Sequence, residues 1–149
     1  MPLDSKYTKV SLDLCDYNPG HGNHRGVDIK ADDGENVYPL ARGVVFKNHK
    51  ANAKYNDHWN ACLIVTHEVS GKTYYTYYAH ITSELNAGDE VIPGVGIGTV
   101  NLGHLHISVK LNFEYYWGYD PDDQHEPCDV IRNGGWMRFQ DVFGLQEYQ

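Results

Sequence analysis

Residues 103–112 read GHLHISVKLN. Apolar Leu105, Ile107, Val109 and Leu111 alternate with polar His104, His106, Ser108, Lys110 and Asn112. A period of two is the period of a strand, so one face is predicted to enter a core and the other to meet water or a site. His104 and His106 then project to the same side with only backbone between them. Two neighbouring imidazoles on one face of a sheet call for a reason, and the rest of the chain supplies candidates.

Outward from this stretch the same short, punctuated pattern repeats. GVDIKA (26–31), ENVYPL (35–40), GVVFKN (43–48), NACLIVTHE (60–68), KTYYTYYAHI (72–81) and EVIPGVGIGTV (90–100) all read as strands. Turn signals separate them: ADDGE, VSGK, NAGDE and the glycines at 94, 96 and 98. Strong helix-forming runs are nearly lacking. The fold class this predicts is mostly β and antiparallel, with little helix, in one domain over residues 1–149. The polar stretch HKANAKYNDH (49–58) reads as a long loop, and the tail from Phe113 as irregular structure wrapping the sheet. At 149 residues, with 41% apolar and 21% charged residues, the chain reads as globular. A net charge of −8 without a Lys/Arg cluster argues against nucleic acid and anionic membrane surfaces as partners.

NHRGVDIKA (23–31) sets His24 four residues before Asp28. Gly26 and the β-branched Val27 and Ile29 favour an extended segment, in which that spacing again means one face. A neutral imidazole and a carboxylate are natural zinc ligands, and His106 can supply a third. Three protein ligands leave one position for water, as a catalytic zinc site requires. His104 beside His106, and His80 at the end of YYAHI, are then placed to accept a proton and to stabilise an oxyanion. No HExxH is present, so a helical glutamate base is not on offer. Single motifs of this kind arise by chance; His125 and Asp129 form a second HxxxD without strand character and read as background. The joint, ordered occurrence carries the argument.

Four blocks, HRGVDIKADDGENVYPLARGVVF, IVTHEVSGKTYYTYYAHI, AGDEVIPGVGIGTV and GHLHI, resemble the successive blocks of the lysostaphin-type (LytM-like) peptidoglycan metallopeptidases. The resemblance spans about residues 24 to 109. It implies a central antiparallel sheet forming a substrate groove, one Zn²⁺ per chain, and hydrolysis of peptide bonds in the cross-bridges or stems of bacterial cell walls. Carried over by position, it makes His24, Asp28 and His106 the metal ligands and His80 and His104 the catalytic histidines, with His104 as base and His80 as stabiliser. The family-like core is set at about 24–111, followed by the wrap over 112–149. The last block departs from the family's common HLHFE, with Ser108 in place of glutamate, and the run before it is shortened to TVNLG. Both departures are expected to touch the groove wall. Tyr17 and His21, in DYNPGHGN, read as loop residues at the rim, and His67 as structural.

Two other classes compete. A non-catalytic LytM-like module would bind wall or activate a partner hydrolase, but such relatives typically lack ligands or catalytic histidines. Two His and one carboxylate also form the facial triad of non-haem iron oxygenases, which would leave His80 and His104 without work. The substrate expected is therefore a peptidoglycan peptide, acted on outside the cytoplasm by a monomer with bacteriolytic potential. The start, MPLDSKYTKVSLDLC, shows no secretory leader, so phage-encoded release, effector-type delivery or a trimmed chain are the routes expected. Cys15, Cys62 and Cys128 are odd in number and widely spaced. They are expected to be small buried or half-buried residues rather than a disulfide framework or a cysteine zinc site.

Overall fold

The computed structural model describes residues 1–19, 21–50, 61–114, 117–118 and 126–149. In chain order the strands are β1 (Val10–Leu12), β2 (Tyr17–Asn18), β3 (Gly22–Asn23), β4 (Val27–Lys30), β5 (Asn36–Val37), β6 (Gly43–His49) and β7 (Cys62–Val69). They continue with β8 (Lys72–Ala79), β9 (Ile81–Thr82), β10 (Glu90–Val91), β11 (Gly98–Val100) and β12 (His104–Lys110). Helix α1 (Cys128–Asn133), β13 (Trp136–Met137) and α2 (Phe139–Phe143) close the chain. The expected mostly-β, antiparallel fold is what forms. The loop expected at 49–58 falls almost wholly outside the described residues.

The main sheet runs β1-β4-β12-β8-β7-β6-β10, with β13 also on β12, and a smaller sheet runs β5-β11-β9. The opening stretch lies at its centre: β12 pairs antiparallel with β4 on one side and β8 on the other. Its odd residues do what their period demands. Leu105, Ile107 and Val109 are fully buried in a cluster with Val27, Ile29, Leu63, Val65 and Tyr78. The alternation stops one residue early. The strand ends at Lys110, and Leu111 is 38% exposed.

The other face is not in water either. His106 is 1% exposed and Ser108 0%, beneath a second cluster of Leu14, Cys62, Ile64, Tyr77, Ala79, Ile131 and Trp136. Ile131 and Trp136 come from the C-terminal tail, which therefore covers the polar face of the sheet, as a wrap should. It does so with two short helices where irregular structure was expected. Helix α1 has six residues and no side-chain cap at Pro127, so its pattern is too short to stand out in the sequence. Helix α2 ends where Gly144 takes the left-handed conformation at φ 70°.

The cysteine expectation needs correction. Cys15 and Cys128 form a disulfide, and only Cys62 is a free buried thiol. An odd count hides one pair, and a separation of 113 residues leaves no local spacing to read. Closing so long a loop constrains the unfolded chain strongly, for a stabilisation of about 2–5 kcal/mol. Reduction, or Cys15→Ser with Cys128→Ser, is therefore expected to lower Tm by roughly 5–15 °C. Melting curves recorded with and without reductant test this, and coincident curves would refute it.

Candidate metal centre

The register of β4 against β12 builds the site. His106 stands directly opposite Asp28, and residues directly opposite in an antiparallel pair share a face. His24 arrives by another route. The chain bends at Arg25 and Gly26, so His24 and Asp28 do not share one continuous strand. His24 is instead held strand-like against the N-terminal loop: its N–H donates to the Asp16 carbonyl at 2.9 Å, and its carbonyl accepts from the Cys15 N–H at 2.8 Å. Arg25 turns the other way, into an ion pair with Glu126 at 2.9 Å, both nearly buried. Together with the disulfide, this pair locks the tail onto the stretch that carries His24.

Three ligand atoms converge. His24 Nε2 lies 2.9 Å from His106 Nδ1 and 3.3 Å from Asp28 Oδ1, and His106 Nδ1 lies 2.9 Å from Asp28 Oδ1. A tetrahedral ion with bonds of about 2.0–2.1 Å sets its ligand atoms roughly 3.3 Å apart, close to this triangle. Outer partners fix which atoms face inward. His24 Nδ1 donates to the Asp13 carbonyl at 3.3 Å, which leaves the neutral ring's lone pair on Nε2. Burial pushes His106 down to about 4, so it holds one proton at neutral pH. Burial alone would raise the Asp28 carboxyl, but hydrogen bonds from the His106 and His24 rings, made when the nitrogens facing it carry the protons, outweigh it and hold the group well below the usual carboxylate range. Two imidazole lone pairs and a carboxylate facing one another need a cation between them, so the residues fit a divalent metal.

The other two histidines of interest sit beside this triangle. The His104 Nδ1–H donates to the Leu102 carbonyl at 2.9 Å, which puts its lone pair on Nε2, 3.8 Å from Asp28 Oδ2. The His80 ring is 4.7 Å from that of His104 and 6.0 Å from that of His106. His80 takes a left-handed backbone at φ 61°, unusual for a residue with a side chain. Backbone bonds hold it there, to the Ala61 carbonyl at 2.8 Å and from Asn101 N–H at 2.7 Å. Such strain at the end of a strand is common where a side chain must be aimed.

The family of peptidases designated M23 matches residues 22–124, more than half of the chain. The chain belongs to peptidase family M23. The likeness to LytM-like peptidases read from its motifs is borne out. No curated protein matches its sequence. Among solved structures, this M23 domain is similar to the protein LytU at 20% identity and TM-score 0.59, covering 87% of this chain and 92% of that one. It is similar to the catalytic domain of a mutant of the prophage-encoded M23 protein EnpA from Enterococcus faecalis, at 18% identity and TM-score 0.55, covering 80% and 92%. It also resembles a zinc-containing peptidase from Vibrio cholerae at 24% identity and TM-score 0.56, covering 72% of this chain but only 35% of that longer one. At these identities the likeness is one of fold.

Other sequence expectations resolve residue by residue. His67 is buried in the main core on the opposite face of the sheet, between the Arg42 carbonyl and the Tyr78 hydroxyl, each at 3.1 Å. It is structural, as expected. Tyr17 is 54% exposed in β2, and His21 is exposed just before β3. Asp129 lies exposed in α1, while His125 falls outside the described residues. Ser108 does not touch a groove wall as expected: it is fully buried, behind His106. Sequence reading missed Trp117, whose ring lies 4.9 Å from His106 and 5.5 Å from His80. It also passed over Gly26 as a site residue, although a lone glycine leading into a strand is a signal of close approach.

Proposed function

We propose that this M23 domain is a zinc-dependent endopeptidase that cuts peptide bonds in bacterial peptidoglycan. The observation that carries the proposal is the triangle of His24, Asp28 and His106, with two further imidazoles, His80 and His104, beside it. These three residues would hold the zinc, one ion per chain. When bound, zinc supplies a Lewis acid and brings its water's pKa to about 7. His104 acts as general base through Nε2, because its Nδ1–H is already committed to Leu102. His80 donates to the oxyanion of the tetrahedral intermediate, its aim set by the constrained backbone. The proton held by His104 then passes to the departing amine.

The substrate assignment follows the family and the LytM-like motifs, and the enzyme is proposed to act outside the cytoplasm as a monomer. The Cys15–Cys128 disulfide supports that location, because such bonds persist in oxidising compartments. Digestion of purified walls of several chemotypes, with zinc-loaded and with chelated protein, tests the reading. New peptide termini identified by mass spectrometry are expected with zinc alone, and the fragments distinguish a glycine bridge from a D-alanyl bond to a diamino acid. Release that survives chelation would refute the role of zinc, and intact walls throughout would refute the substrate.

A further inference from the structure

Each imidazole of the metal triangle needs an outer partner to hold its proton away from the ion. For His24 that partner is a backbone carbonyl, Asp13. For His106 it is a side chain. His106 Nε2 lies 2.6 Å from Ser108 Oγ, and Ser108 Oγ lies 2.8 Å from the Trp117 carbonyl oxygen. A carbonyl can only accept, so the Ser108 hydroxyl proton is spent on Trp117. The hydroxyl oxygen then accepts from His106, so this contact draws the ring proton to Nε2 against the competing pull of the Asp28 carboxylate, 2.9 Å from Nδ1, and frees Nδ1 for the metal.

We propose that Ser108 is a positioning residue that sets the tautomer of His106, its own hydroxyl oriented by the Trp117 carbonyl. The relay runs in one direction, from the His106 Nε2–H to Ser108 Oγ and from the Ser108 O–H to Trp117. It rests on the reading of His106 as a metal ligand, and it adds to it why a serine suffices at this place. A lone hydroxyl can donate as well as accept, and would let the ring settle in either tautomer. The backbone of Trp117 removes that freedom. His106 is 1% and Ser108 0% exposed, and the half-buried Trp117 packs its indole at 4.9 Å on the His106 ring. The contact between His106 and Ser108 is therefore shielded from water. The segment carrying Trp117 thereby touches the metal centre through its carbonyl and its ring at once.

Nitrogen-15 NMR of the metal-free protein, in buffer alkaline enough for neutral imidazoles, reads the tautomer directly. The wild type is expected to show His106 protonated on Nε2, and Ser108→Ala a mixture or the Nδ1–H form. Zinc affinity, measured by competition with a chelating dye, is expected to fall about 10–100-fold in Ser108→Ala. Ser108→Thr, which keeps the hydroxyl, is expected to hold both properties near wild type. A wild type protonated on Nδ1, or a Ser108→Ala protein with unchanged tautomer and zinc affinity, would overturn the assignment. The tautomer is read without metal or substrate, so failure of the zinc peptidase reading would register separately, as a wild type that binds no zinc.

Discussion

His106→Ala is expected to hold no stoichiometric zinc and to lose hydrolysis entirely, whereas His104→Ala is expected to keep its zinc and lose hydrolysis all the same. The two residues stand two positions apart on one strand face, so the contrast separates holding the metal from working beside it. His106 Nδ1 is one corner of the 2.9–3.3 Å triangle; without it, two ligands remain, and His24 and Asp28 face each other across a gap. His104 contributes no corner. Its Nε2 is 3.8 Å from the second oxygen of Asp28, at the edge of the centre, and its side chain is 20% exposed, open to a reacting molecule. Loss of a general base slows such reactions by about 10²–10⁴-fold. Elemental analysis beside a rate assay on wall fragments makes the comparison. A fully active His104→Ala would remove it from the chemistry, and a His106→Ala that retains zinc and activity would remove the metal site itself.

What the sequence made legible follows from the reach of each interaction. Alternation along β12 and the GVDIK run is local, so the burial of Leu105, Ile107 and Val109, and the shared face of His104 and His106, could be read directly. Which strands pair is not local. The opposition of Asp28 and His106 bridges 78 residues and came from the ordered family motifs rather than from periodicity. Spacing alone also gave a wrong picture of His24, because the bend at Arg25 and Gly26 replaces the continuous strand that HxxxD suggested. The outer partners were the least legible. Asp13 and Trp117 act through backbone carbonyls, which carry no residue signature at all. Ser108 was noticed as a departure from a motif, but its burial depends on a tail whose helices are five and six residues long. The disulfide joins two segments that no pattern connects.

Gly26→Ala is expected to disable the metal centre from outside it, although the substitution adds one methyl group and removes no ligand. A Cβ at position 26 would lie 2.6 Å from Ser108 Oγ and 2.7 Å from both Cε1 and Nε2 of His106. Contacts that short must be relieved by movement, and neither neighbour is a free end. Ser108 Oγ is held between His106 and Trp117, and the His106 ring is packed under the Trp117 indole. Either the ring swings away from Asp28, or β4 parts from β12 at the pair that makes the site. Both outcomes pull Nδ1 out of the triangle. Overpacking of this kind destabilises by about 1–3 kcal/mol, which a domain of this size tolerates, so the variant is expected to fold with a lowered Tm. Its zinc affinity is expected to drop by about 100-fold or more, since a proposed ligand would be displaced rather than loosened. Adding Ser108→Ala to Gly26→Ala removes the 2.6 Å contact but leaves both contacts to the ring, so the double variant is not expected to regain zinc. Dye competition on the two proteins, with circular dichroism to confirm the fold, decides the matter. A Gly26→Ala protein that binds zinc like the wild type would mean that β4 and β12 can separate without moving His106, and that their register does not hold the ring in place.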